Sequence, residues 1–271
     1  MSRAPLSRLL RTSRKAWSRL RRSSVVRSPY YRRHPIELGR LILGVRHLRS
    51  AAVSEPRDFL AHLGINVEET SDDFDRWRGI LAPVLAGRSR VGINEGQGRI
   101  LYAAVRSLRP SQIIETGVAE GVSSSFMGAA LVDNGMGVLH SLELPPDHVP
   151  DDTAFEDGAV YSWQHKGVAF LVPHEIRTAL GDRWDVRLGD VRDTLPTLLA
   201  ELGSVDLFFH DDLHLPSHML WEYELVWPRI PSTGLLLSDD ANAGWITFAR
   251  HHLDDGDGLV NYRRMTGARR P

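Results

Sequence analysis

SQIIETGVAEGVSSS, residues 111–125, decides the fold. A short apolar run, Ile113 and Ile114, ends in Glu115 and Thr116 and turns at Gly117 and Gly121 into a small-residue helical start. A strand running through a glycine turn into a helix is the opening unit of an α/β sheet. Small residues in that turn let a ligand approach the backbone, and the helix start supplies free N–H donors. The spacing is not G-x-G-x-x-G, so a dinucleotide fingerprint is not met and a nicotinamide dehydrogenase is disfavoured.

Downstream, apolar runs alternate with helical patterns. GVLHSLEL is followed by a long loop, WDVRLGD by 192–202, VDLFFH by 216–227 and GLLLSD by 241–253. Continuous apolar runs suit strands covered on both faces. The expectation is α/β: a doubly wound, mostly parallel, Rossmann-like sheet. Upstream, Ser54-Glu55-Pro56 and Ser71-Asp72-Asp73 each open a helix. The second carries Phe74, Trp77, Ile80, Leu81, Val84 and Leu85 as its stripe, and GRILYAAVRSL (98–108) is a further helix. The domain reading is a basic N-terminal arm over 1–50, a helical cap over 51–90 and the sheet domain over 91–271. After 253 only GLVNYRRM reads as another strand, which points to a shortened closing hairpin and an edge in need of a partner.

Composition narrows the function classes. The 271 residues include no cysteine, which excludes disulfides, thiolate zinc and cysteine catalysis. No apolar run reaches the roughly 18 residues of a membrane span. The net charge of −1 hides a split: residues 1–50 carry 14 bases against Glu37 alone, so the remainder is net −14. In 5–20, Leu6, Leu9, Leu10, Ala16, Trp17 and Leu20 share one helical side and Arg8, Arg11, Arg14, Lys15 and Arg19 the other. Such an arm suits an anionic membrane surface, a targeting role, or packing on the body or on a second copy. It carries no nucleic-acid-reading motif. The expected location is cytoplasmic, with the arm giving peripheral membrane or homo-oligomer contact.

In a doubly wound sheet, ligands bind at the C-terminal strand ends. Glu143 ends the second strand, where a carboxylate can accept from ribose hydroxyls. Asp190 ends the third, beside an adenine or as a helix cap. The fourth and fifth end in HDDLH (210–214) and SDDAN (238–242). Carboxylates brought together there must be neutralised, and oxygen-rich ligation suits Mg²⁺ or Ca²⁺. The chain's lysines, Lys15 and Lys166, are not obvious neutralisers.

Over residues 94–255 the sequence resembles class I S-adenosylmethionine-dependent methyltransferases, most of all bacterial small-molecule O-methyltransferases of the catechol and macrocin type. IIETGVAEGVSSS is similar to their glycine motif, with Ala119 in place of the middle glycine. The resemblance implies S-adenosylmethionine contacts at Glu115, Gly117, Ala119, Gly121, Ser123, Glu143 and Asp190. It implies a divalent cation such as Mg²⁺ on Asp211, Asp239 and Asp240. Catechol-type relatives have a basic lysine three residues after the first metal Asp; here that position is His214, as in the sugar-modifying relatives. The implied activity is O-methylation of a small-molecule hydroxyl, on a sugar or secondary metabolite, with His214 as base and His210 and His218 as rivals. The long segment 145–172 is expected to form part of an acceptor lid. Two alternatives stand beside this one: a hydroxylase-like enzyme on the same fold, and a non-catalytic binding protein with an associating arm.

Overall fold

The computed structural model describes residues 48, 51–66, 71–88, 92–145, 167–254 and 257–271. The basic arm, apart from Leu48, and most of the segment expected as a lid lie outside them.

Within the described residues the elements run β1 (Ala52–Val53), α1 (Pro56–His62), α2 (Ser71–Asp75), α3 (Arg78–Gly87), α4 (Glu95–Leu108), β2 (Gln112–Thr116), α5 (Val122–Asn134), β3 (Val138–Glu143) and α6 (His174–Leu180). They continue with β4 (Trp184–Leu188), α7 (Val191–Leu202), β5 (Leu207–His210), α8 (Pro216–Val226), β6 (Leu235–Ser238), α9 (Ala243–His252), β7 (Asn261–Tyr262) and β8 (Met265–Arg269). The sheet order is β1-β7-β8-β6-β5-β2-β3-β4. β8 runs antiparallel to β6 and β7, and the other pairs are parallel. From β2 the chain winds outward through β3 and β4, then crosses back to β5 and β6 on the other side. The switch point therefore lies between β2 and β5, the place where sheets of this kind bind their ligands.

The strand interiors show why continuous apolar runs are needed here. Ile113, Phe209, Leu235 and Leu237 face the core under α1 to α6, while Ile114, Phe208 and Leu236 face the one under α7 to α9. Successive side chains alternate faces, and both faces are covered. The helices of 56–87 share the first of these cores.

Three boundaries differ from the sequence reading. The helix expected from Ser71 is two, α2 and α3, broken at Arg76 and Trp77. α4 starts at Glu95, because Asn94 and Gln97 form a reciprocal capping box at its start. GLVNYRRM is not one strand: the chain turns at Arg263 and Arg264, both in the left-handed region (φ 49° and 74°), and β8 returns antiparallel to β6. β1 then pairs in parallel beside β7 and covers it on that side.

Candidate active site

The glycine turn is held from below. Glu115 is fully buried and accepts hydrogen bonds from the hydroxyls of Ser123, Ser124 and Ser141, the last two at 2.7 Å. Burial pushes its carboxyl up, and the three hydroxyls oppose that. Glu115 and Ser123 thus bind each other, tying the first turn of α5 to the sheet. Gly117 has φ +81°, and a Cβ there would lie 2.1 Å from the Asp211 carbonyl oxygen. Only glycine lets the β2 turn pass so close to the β5 end. At Gly121 (φ +87°) a Cβ would meet Val172 and Ala169. Residues 169–172 lie against this turn, with Ala169 N donating to Ala119 O at 2.8 Å and Leu171 N to Glu120 O at 3.0 Å. Ala119 keeps a left-handed backbone, φ 45°, without being glycine.

Glu143, at the end of β3, faces this turn. Its Oε2 accepts from the N–H groups of Val118 and Ala119, at 2.8 and 2.5 Å, and its Oε1 from Leu144 N at 2.8 Å. Burial pushes its pKa up to about 7; the backbone donors pull against this and nearby Asp212 adds to it. A nearly buried carboxylate beside a left-handed turn suits hydroxyl donors or a cationic ligand. Asp190 is exposed and caps α7, accepting from Arg192 N at 2.8 Å. The cap was one of its two sequence readings, and its side chain has that use here.

The acidic crevice assembles at the ends of β5 and β6. Asp211 N donates to Thr116 O at 2.9 Å, tying the β5 end to β2, and Asp239 N donates to His210 O at 2.9 Å, tying the β6 end to β5. Ligand atoms of Asp211, His214 and Asp239 lie within 4.8 Å of one another. Burial and then repulsion from Asp239 and Asp240 raise Asp211 well above the carboxylate range; burial and Asp240 push Asp239 up to about 7. Buried acids that repel one another fit a cation between them. Asp240 stands outside that group. It is left-handed at φ 48° and its carboxylate pairs with the Arg264 guanidinium. His214 Nε2 lies 3.6 Å from Asp211 Oδ1 and has no hydrogen-bond partner. Burial pulls its pKa down to about 4, so the ring is neutral at pH 7.

Several residues here escaped the sequence reading. Gln97 Nε2 donates to Asp239 Oδ1. Glu222, fully buried on α8, accepts from Thr116 Oγ1 at 2.9 Å, with His210 Nδ1 2.6 Å from its Oε2 and His218 Nε2 3.2 Å from its Oε1. Asp212 closes this network against His218 at 3.3 Å. The Glu222 position was readable only as one of two glutamates in this helix, four residues after His218.

Residues 114–241 match the family described as a methyltransferase domain. The match runs from Ile114 in β2 to Ala241, just past the β6 acids. The matched stretch contains every strand-end residue singled out above. No curated protein sequence matches the chain. Among solved structures, an S-adenosylhomocysteine-bound methyltransferase of Podospora anserina is 20% identical, with 55% of this chain and 53% of that one aligned at a TM-score of 0.39. An O-methyltransferase of Bacillus cereus in complex with S-adenosylhomocysteine is 17% identical over 62% of this chain and 66% of that one, TM-score 0.40. The O-methyltransferase TomG of Streptomyces achromogenes, involved in tomaymycin synthesis and solved with S-adenosylmethionine, is 20% identical over 66% and 72%, TM-score 0.40. The chain thus spans about half the length of the first and just under two thirds of the second. Overlap at this level does not identify an activity. Among the described residues, no helix is long and apolar enough to cross a membrane.

Proposed function

We propose that the chain is an S-adenosylmethionine-dependent O-methyltransferase acting on a hydroxyl of a small molecule, a sugar or secondary metabolite, with help from a divalent cation such as Mg²⁺. One observation carries this: within the stretch that matches the methyltransferase-domain family, Glu143 holds the glycine turn while Asp211 and Asp239 come together at the ends of β5 and β6.

S-adenosylmethionine supplies a methyl group already activated on its sulfonium. A divalent cation, when bound, lowers the pKa of an acceptor hydroxyl. The chain's residues do the rest. Glu143 would orient a ligand's hydroxyls beside the turn, and Asp211 and Asp239 would hold the cation, with Asp240 able to add a third carboxylate were its pair with Arg264 broken. His214, neutral and with Nε2 unpartnered, accepts the acceptor's proton. Alignment of the acceptor oxygen with the methyl supplies much of the remaining acceleration.

A second reading rests on the compact grouping of His214 with Asp211 and Asp239. If His214 is itself a ligand, the base is His210, which Glu222 orients through Nδ1 and whose buried Nε2 has no partner.

A screen of hydroxylated acceptors with methyl-labelled S-adenosylmethionine tests the activity. Product mass must rise by one methylene, and chelation with EDTA must suppress the rate. His214→Ala lowering turnover by roughly 10²–10⁴, with His210→Ala closer to wild type, assigns the base to His214; the reverse order assigns it to His210. No labelled product with any acceptor, together with no S-adenosylmethionine binding, rejects the proposal.

A further inference from the structure

At the opposite end of α8 and α9 from the strand-end crevice, Glu224 meets His251 and His252. His251 Nδ1 lies 3.4 Å from Glu224 Oε1, and His252 Nε2 lies 2.8 Å from Glu224 Oε2. One ligand atom from each of the three lies within 4.8 Å of the other two. We propose that these residues form a surface site for a borderline divalent transition metal, Zn²⁺ first, which clamps the C-terminal end of α9 to α8. The site is separate from the methyl-transfer reading and stands or falls without it.

The geometry favours this in three ways. Two consecutive helical residues point in different directions, yet both rings reach one carboxylate, because His251 uses its near nitrogen and His252 its far one. Next, a tetrahedral site with bonds of about 2.0–2.1 Å sets neighbouring ligand atoms roughly 3.3 Å apart. Each ring nitrogen is near that distance from one oxygen of Glu224, 3.4 Å from Oε1 for His251 and 2.8 Å from Oε2 for His252. Last, the His252 ring is held in place, with its centroid 5.0 Å from Phe248 and 6.4 Å from Trp227. With its proton on the other ring nitrogen, each neutral imidazole offers a lone pair to an ion held beside the carboxylate. Imidazole nitrogen with a carboxylate oxygen selects Zn²⁺, Co²⁺ or Ni²⁺ over Mg²⁺. Glu224 and His251 are solvent-accessible, at 39% and 59% exposure, so an ion can enter and water can complete its coordination.

The test is titration of the full chain at pH 7.5 with Zn²⁺ by calorimetry and with Co²⁺ by visible absorption. Wild type should bind one equivalent that Mg²⁺ does not displace, with a tetrahedral Co²⁺ spectrum and a rise in Tm. The His251→Ala, His252→Ala double variant should lose that equivalent or bind it at least tenfold more weakly. Glu224→Gln, which keeps size and shape, guards against a folding defect in the double variant and should weaken binding as well. Unchanged stoichiometry, affinity and spectrum in both variants would show the cluster to be an ion pair only, and would overturn the proposal.

Discussion

Gln97 Nε2 donates to Asp239 Oδ1 at 2.5 Å, joining the first turn of α4 to an acid 142 residues later. The same side chain accepts from Asn94 N at 2.9 Å in the capping box, so one glutamine fixes both the helix start and the crevice wall. Gln97→Leu should leave the Asp239 carboxylate without this donor and cost about 1–3 kcal/mol of stability. Urea unfolding checks the stability. Methyl transfer should fall in kcat more than in the KM for S-adenosylmethionine, since Gln97 faces the acids rather than Glu143.

Arg264 pairs with the Asp240 carboxylate, so a cation that took Asp240 as a ligand at the proposed site would have to displace it. Arg264→Ala should therefore tighten Mg²⁺ binding several-fold while lowering the stability of the metal-free protein. Calorimetric titration with Mg²⁺ reads the first effect and thermal melting in EDTA the second. Equal or weaker Mg²⁺ binding in the variant would mean that Asp240 does not contribute to the cation site.

Ala119 holds a left-handed conformation that glycine adopts without steric cost. Ala119→Gly should stabilise the protein by about 1 kcal/mol, less the extra freedom gained by the unfolded chain. Ala119→Val should destabilise it, because a β-branched side chain fits this region worst. Paired urea curves decide; a gain in stability for valine would contradict the reading of the turn.

His218 gives the fold a pH signature. Burial alone would lower its pKa, but Asp212 and Glu222 outweigh that and raise it to about 9. Its partner Glu222 is pushed up by burial yet held at about 2 by His210 and His218. For a base with a raised folded pKa, the stabilisation is fully present below the unfolded pKa of about 6.5 and is lost as pH rises through the folded value. The stability gap between wild type and His218→Gln should therefore be widest near pH 6, on the order of 3 kcal/mol, and should shrink steadily toward pH 9.5. A gap that grows with pH in chemical denaturation would refute this protonation state.

The sequence made legible what is local or periodic. The apolar runs at Ile113, Leu139, Phe208 and Leu236 read correctly as strands because covering both faces demands it. Asp211 and Asp239 came together because adjacent parallel strands end together. What escaped depends on distant partners. Nothing near Gln97 announces Asp239, and nothing near Asp240 announces Arg264, which a two-residue reversal at Arg263–Arg264 brings back to it. That reversal lacks the glycine or asparagine that normally marks one, so a single strand was expected there. His210 and His218 read only as candidate bases until Glu222 was seen to lie between them. Asp190 was read evenly as an adenine contact or a helix cap, and its side chain caps α7.

The most direct measurement is calorimetric titration of the full chain with S-adenosylmethionine, beside Glu143→Gln and with the fold of both checked by circular dichroism. The account predicts one saturable site in wild type, weakened at least tenfold in the folded variant. Folded wild-type protein that shows no binding, or a variant that binds as tightly as wild type, would contradict it.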